Sequence, residues 1–283
     1  FAVDQFVMKG GKLIVLQSGL QISNQGFAQA RNINYSDLLE TYGLKLNQDM
    51  VFDLFNYSVM VPQGNIRFMT PYPLWIKVPP EQIDSEFPDS IRNSGTLGFS
   101  FASSITLNEV DGVKYRKVAQ SSGNSWNESG MVVLDPTQIK APSKSEFKVY
   151  DLAILGEGKF KSHFTQETLP EIIKEKNDNF VKEASAGASV LLISSPEFIL
   201  DRTMRNFRSN GIFFLNIVDY LTNSTELMDI RSRGQGYTFI NPKLSEIAKG
   251  IIKWTGILFM PVLVVIFGII RMVWRNKLSG RSA

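Results

Sequence analysis

The sequence predicts an α/β fold, with a mostly parallel sheet flanked by helices, an irregular β-rich insertion and a C-terminal transmembrane helix. Three observations lead there. Short apolar runs of strand length alternate with helical stretches along much of the chain. Prolines crowd one central region. A long uncharged stretch lies near the C-terminus.

The elements follow in order. Residues 1–9 form a helix with apolar Phe1, Val3, Phe6 and Val7, stopped by Gly10 and Gly11, since glycine suits the left-handed turn after a helix. Residues 12–17 then form a strand around Leu13-Ile14-Val15-Leu16, apolar on both faces. A short helix spans 35–42 and ends at Gly43. Further strands cover 50–55, 150–155 and 188–193. Ser195-Pro196-Glu197 opens a helix that runs to about Arg208, and another covers 212–221. Strands apolar on both faces, alternating with helices, suggest a parallel sheet covered on both sides.

Residues 56–145 differ in texture. Pro62, Pro71, Pro73, Pro79, Pro80, Pro88, Pro136 and Pro142 fall there, between strand-like runs such as 98–107, and the stretch reads as a β-rich insertion. Residues 165–187, rich in Glu, Lys and Asn, form a connection. The predicted organisation is an extracytoplasmic domain over 1–240, a juxtamembrane and transmembrane helix over 241–275, and a basic tail over 276–283.

The predicted span is the uncharged run from Trp254 to Ile270. As a helix it rises about 25 Å, the lower limit for crossing hydrocarbon. Lys253 and Arg271 bound it, and Trp254 and Trp274 sit where interfacial aromatics belong. Arg271, Arg275, Lys277 and Arg281 follow it without an acid, so the positive-inside rule places the C-terminus in the cytoplasm. The chain opens at Phe1 in mid-pattern, which reads as a piece lacking its N-terminal part.

Composition narrows the chemistry. The 283 residues contain no cysteine, which removes disulfides, thiolate metal sites and cysteine nucleophiles. His163 is the one histidine. The net charge of +3 comes from the C-terminal tail, not from a face that could neutralise phosphates, so no nucleic-acid partner is expected. Gly156-Glu157-Gly158-Lys159 lacks the spacing of a phosphate loop, and no GxSxG elbow accompanies His163. Asp49 and Asp53 share one side of a strand and could pair as carboxylates, although capping and solvation are the simpler reading. Asn34, Asn56, Asn127 and Asn223 open N-x-S/T triplets at a frequency chance would supply.

Several segments together resemble the gliding-motility-type ABC transporter auxiliary proteins. They are Asp4-Gln5 with Gly10-Gly11 and the strand after it; Leu38-Leu39 with Tyr42-Gly43 and Asn47 to Asp53; Ser121-Ser122 with Ser125-Trp126; and Leu152 to Phe164. Ile193 to Phe198, Phe214-Leu215-Asn216 and Leu227 to Arg231 close the series. The resemblance implies an extracytoplasmic, amidotransferase-like domain at the bacterial inner membrane, anchored in the lipid bilayer beside an ABC permease and a cytoplasmic ATPase.

The expected function is therefore a non-enzymatic, membrane-anchored auxiliary or substrate-recognition subunit, with no catalytic residue, cofactor or metal and with the substrate left open. A cleft at the carboxyl ends of the strands would draw on Gln17, Ser18, Asp53, Glu157 and Lys159. Two other readings stay open. One is a structural coupler that contacts envelope partners through 56–145. The other is a membrane-tethered serine hydrolase using Ser194 or Ser195 with His163.

Overall fold

The computed structural model describes residues 1–64, 66–165, 167–169, 180–184 and 187–222, together with 253–255, 257, 259, 261, 267–269 and 271. Residues 1–232 form one compact unit and 233–283 a second.

The first unit begins with α1 (Ala2–Met8), β1 (Lys12–Leu16), β2 (Leu20–Ile22), β3 (Phe27–Ala30), α2 (Ser36–Thr41), β4 (Leu44–Leu46) and β5 (Asp49–Asp53). A long hairpin follows, β6 (Asn56–Gln63) and β7 (Ile66–Val78), then α3 (Asp89–Arg92) and β8 (Leu97–Ser100). Next come β9 (Ile105–Leu107), β10 (Val113–Gln120), β11 (Ser125–Ser129) and β12 (Val132–Val133). The unit closes with β13 (Asp151–Gly158), β14 (Ala188–Ile193), α4 (Asp201–Asn206) and α5 (Arg208–Leu221).

The central sheet has six strands in the order β1-β14-β13-β9-β4, with β10 also paired to β13. Only β1 and β14 run parallel in it; β13 is antiparallel to β14, β9 and β10, and β4 is antiparallel to β9. Three smaller sheets, β11-β5, β12-β3-β2 and β6-β7-β8, are antiparallel throughout. The expectation of a mostly parallel α/β sheet is thus overturned: the fold is β-rich, with one mixed and three antiparallel sheets.

The physical reason lies in how the central strands are covered. Successive residues of β14 point into different apolar clusters. Leu191 and Ile193 join Phe99, Phe198, Phe213 and Ile217, while Ala188, Val190 and Leu192 join Val7, Met8, Leu39 and Tyr42. Helix α5 covers one face, and α1 and α2 cover the other. Strands covered on both faces are apolar throughout whatever their direction, so the pattern that suggested parallel pairing reports cover alone.

The predicted transmembrane helix meets the same correction. A crossing needs about 20 consecutive apolar helical residues. Among the described residues no helix is long and apolar enough to cross a membrane. Lys253, Trp254 and Arg271 are helical and exposed, whereas Trp274 and most of the run from 254 to 270 lie outside the described residues. The predicted 165–187 connection is also described only in part.

Gly43 shows how tightly α2 is set. Its φ of +81° is open to glycine and strained for other residues. A Cβ there would sit 2.5 Å from the Asn108 carbonyl oxygen and 2.3 Å from the Tyr115 hydroxyl. Gly43→Ala should therefore destabilise the protein by about 1–3 kcal/mol, from strain plus overlap. Urea unfolding of the variant beside the parent checks this, and equal midpoints would contradict it.

Candidate functional site

Three aspartates lie inside the first unit without an ion pair among the described residues, and each is held by neutral donors. Asp4, on α1, is fully buried. Its Oδ1 accepts from the Tyr42 hydroxyl (2.9 Å) and the His163 backbone N–H (3.0 Å), and its Oδ2 from Ser162 Oγ (2.7 Å) and Gln5 Nε2 (2.9 Å). Burial, with the Asp4 charge and hydrogen bond adding to it, pushes the Tyr42 phenol far above its usual range. Asp53, at the end of β5, accepts from the backbone N–H groups of Phe55 and Ser122 (2.7 Å each) and from Ser122 Oγ (2.5 Å). Asp49, at the start of β5, accepts from the Ser104 N–H (2.8 Å), Ser104 Oγ (2.6 Å) and Asn127 Nδ2 (2.6 Å).

Asp49 differs from the other two because it borders open space. A polar cleft of about 440 Å³ is lined by Asn47, Asp49, Ser104, Thr106, Asn127, Lys148, Tyr150 and Asp151, among others. Asn47 Nδ2 donates to Ser104 Oγ and Thr106 Oγ1 (2.9 Å each), and the Tyr150 hydroxyl donates to Asn127 Oδ1 (2.7 Å). Lys148 lies 4.9 Å from the centre of the Tyr150 ring. A neighbouring cavity of about 390 Å³ shares Asn127, Lys148 and Tyr150 and adds Glu128, Lys140 and Glu146. The combined groove presents hydroxyls, amides, carboxylates and ammonium groups, a set suited to a polar, hydrogen-bonding ligand.

The residues expected at one cleft do not gather there. Gln17 and Ser18 follow β1, and both are buried. Gln17 gives Nε2 to the Ser18 carbonyl and accepts from the Tyr35 hydroxyl. Ser18 Oγ lies 3.0 Å from Ser103 Oγ, which donates to the Asp49 carbonyl (2.6 Å), so this pair backs the cleft floor. Glu157 and Lys159 lie elsewhere. Because β13 runs against β14, Glu157 aligns with Ser189 and hence with Lys12, at the start of β1. Glu157 pairs with Arg116 (3.3 Å), which donates to the Tyr220 hydroxyl (2.7 Å). Lys159 lies just past β13, its backbone N–H bonded to the Gly112 carbonyl. Asp53 serves the Ser122 turn.

Asp49 and Asp53, four strand residues and so about 13 Å apart along β5, work separately. Of the cleft residues, the sequence singled out Asp49, as half of a carboxylate pair, Asn127, as a triplet asparagine, and Asn47, at the head of the Asn47 to Asp53 segment of the resemblance. Tyr150 entered only as the first residue of the expected strand 150–155, and Lys148 carried no recognisable pattern.

The serine-hydrolase arrangement is also not assembled. Ser194 and Ser195 are fully buried after β14, and Ser195 Oγ donates to the Ser100 carbonyl (2.7 Å). His163 follows β13, at the other end of the sheet, where its Nδ1 lies 2.8 Å from Thr41 Oγ1. The length of β14, about 17 to 20 Å, separates the two ends.

The geometry thus defines a β-rich module whose buried carboxylates hold the fold, with an open polar groove in which no serine–histidine pair is assembled among the described residues. The chain belongs to the ABC transporter auxiliary family, described as an ABC-type uncharacterized transport system, which matches residues 1–224. The family's name points to an auxiliary part of an ABC-type transport system; the match does not extend to gliding motility. A protein of Borreliella burgdorferi described as "Uncharacterized protein" is 26% identical over 291 residues, covering 97% of this chain and 53% of its own length. The chain therefore spans about half the length of the curated relative it matches. Among solved structures, the mmIFT52 N-terminal domain aligns with a TM-score of 0.40 and 11% identity, over 78% of this chain and 68% of that one.

Tyr150 offers a direct probe of the groove. Its phenol is pushed up from 10.0 to about 12, first by burial and then by the Asp49 charge, with Asn127 pulling the other way. The folded state therefore favours the neutral phenol. That contribution to stability is complete below pH 10 and is lost as pH rises through about 12. Asp49→Asn removes the charge and should bring the phenol's ionisation to lower pH. Ultraviolet titration of tyrosinate in folded protein reads the shift, and an unchanged or higher value would contradict this geometry.

Proposed function

We propose that the chain is a non-enzymatic auxiliary subunit that recognises a polar ligand in the Asp49–Asn127–Tyr150 groove and works beside an ABC permease and a cytoplasmic ATPase. The observation that carries this is the family match over residues 1–224. The groove supports the recognition role: it combines charges of both signs with amide and hydroxyl groups and sits where side chains are already fixed by Asp49. The separation of His163 from Ser194 and Ser195 supports a non-enzymatic reading. The ABC-type transport family over residues 1–224 supports a placement at the bacterial inner membrane, where such systems work.

Affinity purification of the protein in native lipids tests the subunit role. A permease and an ATPase should co-purify in defined ratio, and their absence from a folded, full-yield preparation would count against it. Asn127→Ala should leave that assembly intact while weakening transport, because it removes a donor to Asp49 and the acceptor of Tyr150 without touching the other two carboxylates. A variant that transports like the parent would remove the groove from the account.

A further inference from the structure

The β6–β7 hairpin exposes apolar side chains on both of its faces. Its register pairs Met60 with Met69, Val61 with Phe68 and Pro62 with Arg67. Alternation along each strand puts Met60 and Met69 on one face and Phe68 and Ile66 on the other. Met60 is 61% exposed, Met69 69% and Ile66 71%. Strand β8 pairs only with Trp75 to Val78, so the outer half of the hairpin has no third strand among the described residues.

Those open edges are poor templates for another strand. Pro62 and Pro71 occupy pairs of the same parity, Pro62 with Arg67 and Ser58 with Pro71. A proline has no N–H to give, so each edge lacks one outward donor, a device that discourages strand addition. What the arm offers is side chains, not backbone. Between Asp53 and Glu81 the sequence has no acid and two bases, Arg67 and Lys77. Lys77 is engaged, lying 4.8 Å from the Tyr57 ring centre, whereas Arg67 is exposed beside the tip.

We infer that this arm dips into the surface of an anionic lipid bilayer, with Met60, Ile66, Phe68 and Met69 at the headgroup–acyl boundary and Arg67 among the phosphates. A protein groove lying against one face would leave the other in water, whereas lipid surrounds both. The absence of acid along the arm matches an anionic surface.

The chain has no cysteine, so single labels are clean. A polarity-sensitive fluorophore is placed on Ile66→Cys, on Met69→Cys and, as a reference on α1's exposed end, on Lys9→Cys, each in the full chain. With vesicles of phosphatidylethanolamine and phosphatidylglycerol, the two arm labels should shift to the blue and be quenched by lipid-borne quenchers, while the Lys9 label stays water-like. Arg67→Gln should weaken the response about fivefold in these vesicles and little in phosphatidylcholine. Met60→Asp with Met69→Asp should abolish it for the Ile66 label, with circular dichroism confirming that the fold is kept.

Arm labels that remain water-like with vesicles would overturn the inference. So would shielding that needs co-purified transporter subunits, which points to a protein partner, or shielding already complete without lipid, which points to another part of the chain or a second copy. Co-purification of permease and ATPase is read separately, so failure here leaves the subunit role standing.

Discussion

Burying a carboxylate without a cation is costly unless hydrogen bonds replace its lost water. Among the described residues this protein does so three times. Asp4, Asp49 and Asp53 each collect three or four donors, and all but Gln5 and Phe55 come from distant parts of the chain. Asp4 joins α1 to the end of α2 and to the loop after β13. Asp49 joins β5 to the turn before β9 and to β11. Asp53 joins β5 to the turn before β11. Each bond to a charged acceptor contributes about 1.5–3 kcal/mol, and removing the donors would leave a buried charge unpaired. These three points fix which segments meet.

Around them, the sheet supplies most of the apolar burial. Strands β13 and β14 carry side chains into clusters on both faces, and α1, α2 and α5 complete the cover. The third cluster, built on Met50, Phe52, Tyr72, Leu74 and Trp126, ties the smaller sheets together and includes the stacked rings of Phe52 and Trp126, 5.1 Å apart. The carboxylate knots sit at the margins of these clusters, where chain segments turn and backbone N–H groups would otherwise lack partners. The groove at Asp49 therefore inherits rigid walls from the fold, and an open-sided polar network at such a place is ready to meet a ligand without first being ordered.

Much of the element order can be read from the residues. The strand at 188–193 matches β14, and the helices at 1–9 and 35–42 coincide with α1 and α2 to within a residue or two. Strand direction was not legible, because cover on both faces erases the alternation that would mark an antiparallel sheet. Strands β2, β3 and β4 are three or four residues long, too short for periodicity to declare them. The helix expected from Ser195 begins only at Asp201, since the Ser195 hydroxyl is spent on the Ser100 carbonyl instead of on a helix end. As for the site, Asp4, Tyr42, Asp53, Ser122 and Ser162 all lie in motifs visible in the sequence, yet their meaning was not: apart from the nearby Gln5 and Phe55, the partners of Asp4 and Asp53 lie 38 to 159 residues away. Lys148 gains its place in the groove through a bridge to Ser125 that no local pattern announces, and Tyr150, just ahead of β13, through the hydrogen bond of its backbone N–H to Ser121 Oγ.

These buried carboxylates hold the fold as one cooperative unit. Native-state hydrogen exchange tests it most directly, because each knot includes a backbone amide: Ser104 and Ser122 on Asp49 and Asp53, and His163 on Asp4. If the account is right, all three amides exchange only through global unfolding, with the same free energy as amides in the middle of β14. Exchange of any of them by local opening, at a free energy several kcal/mol lower than β14, would contradict it for that carboxylate.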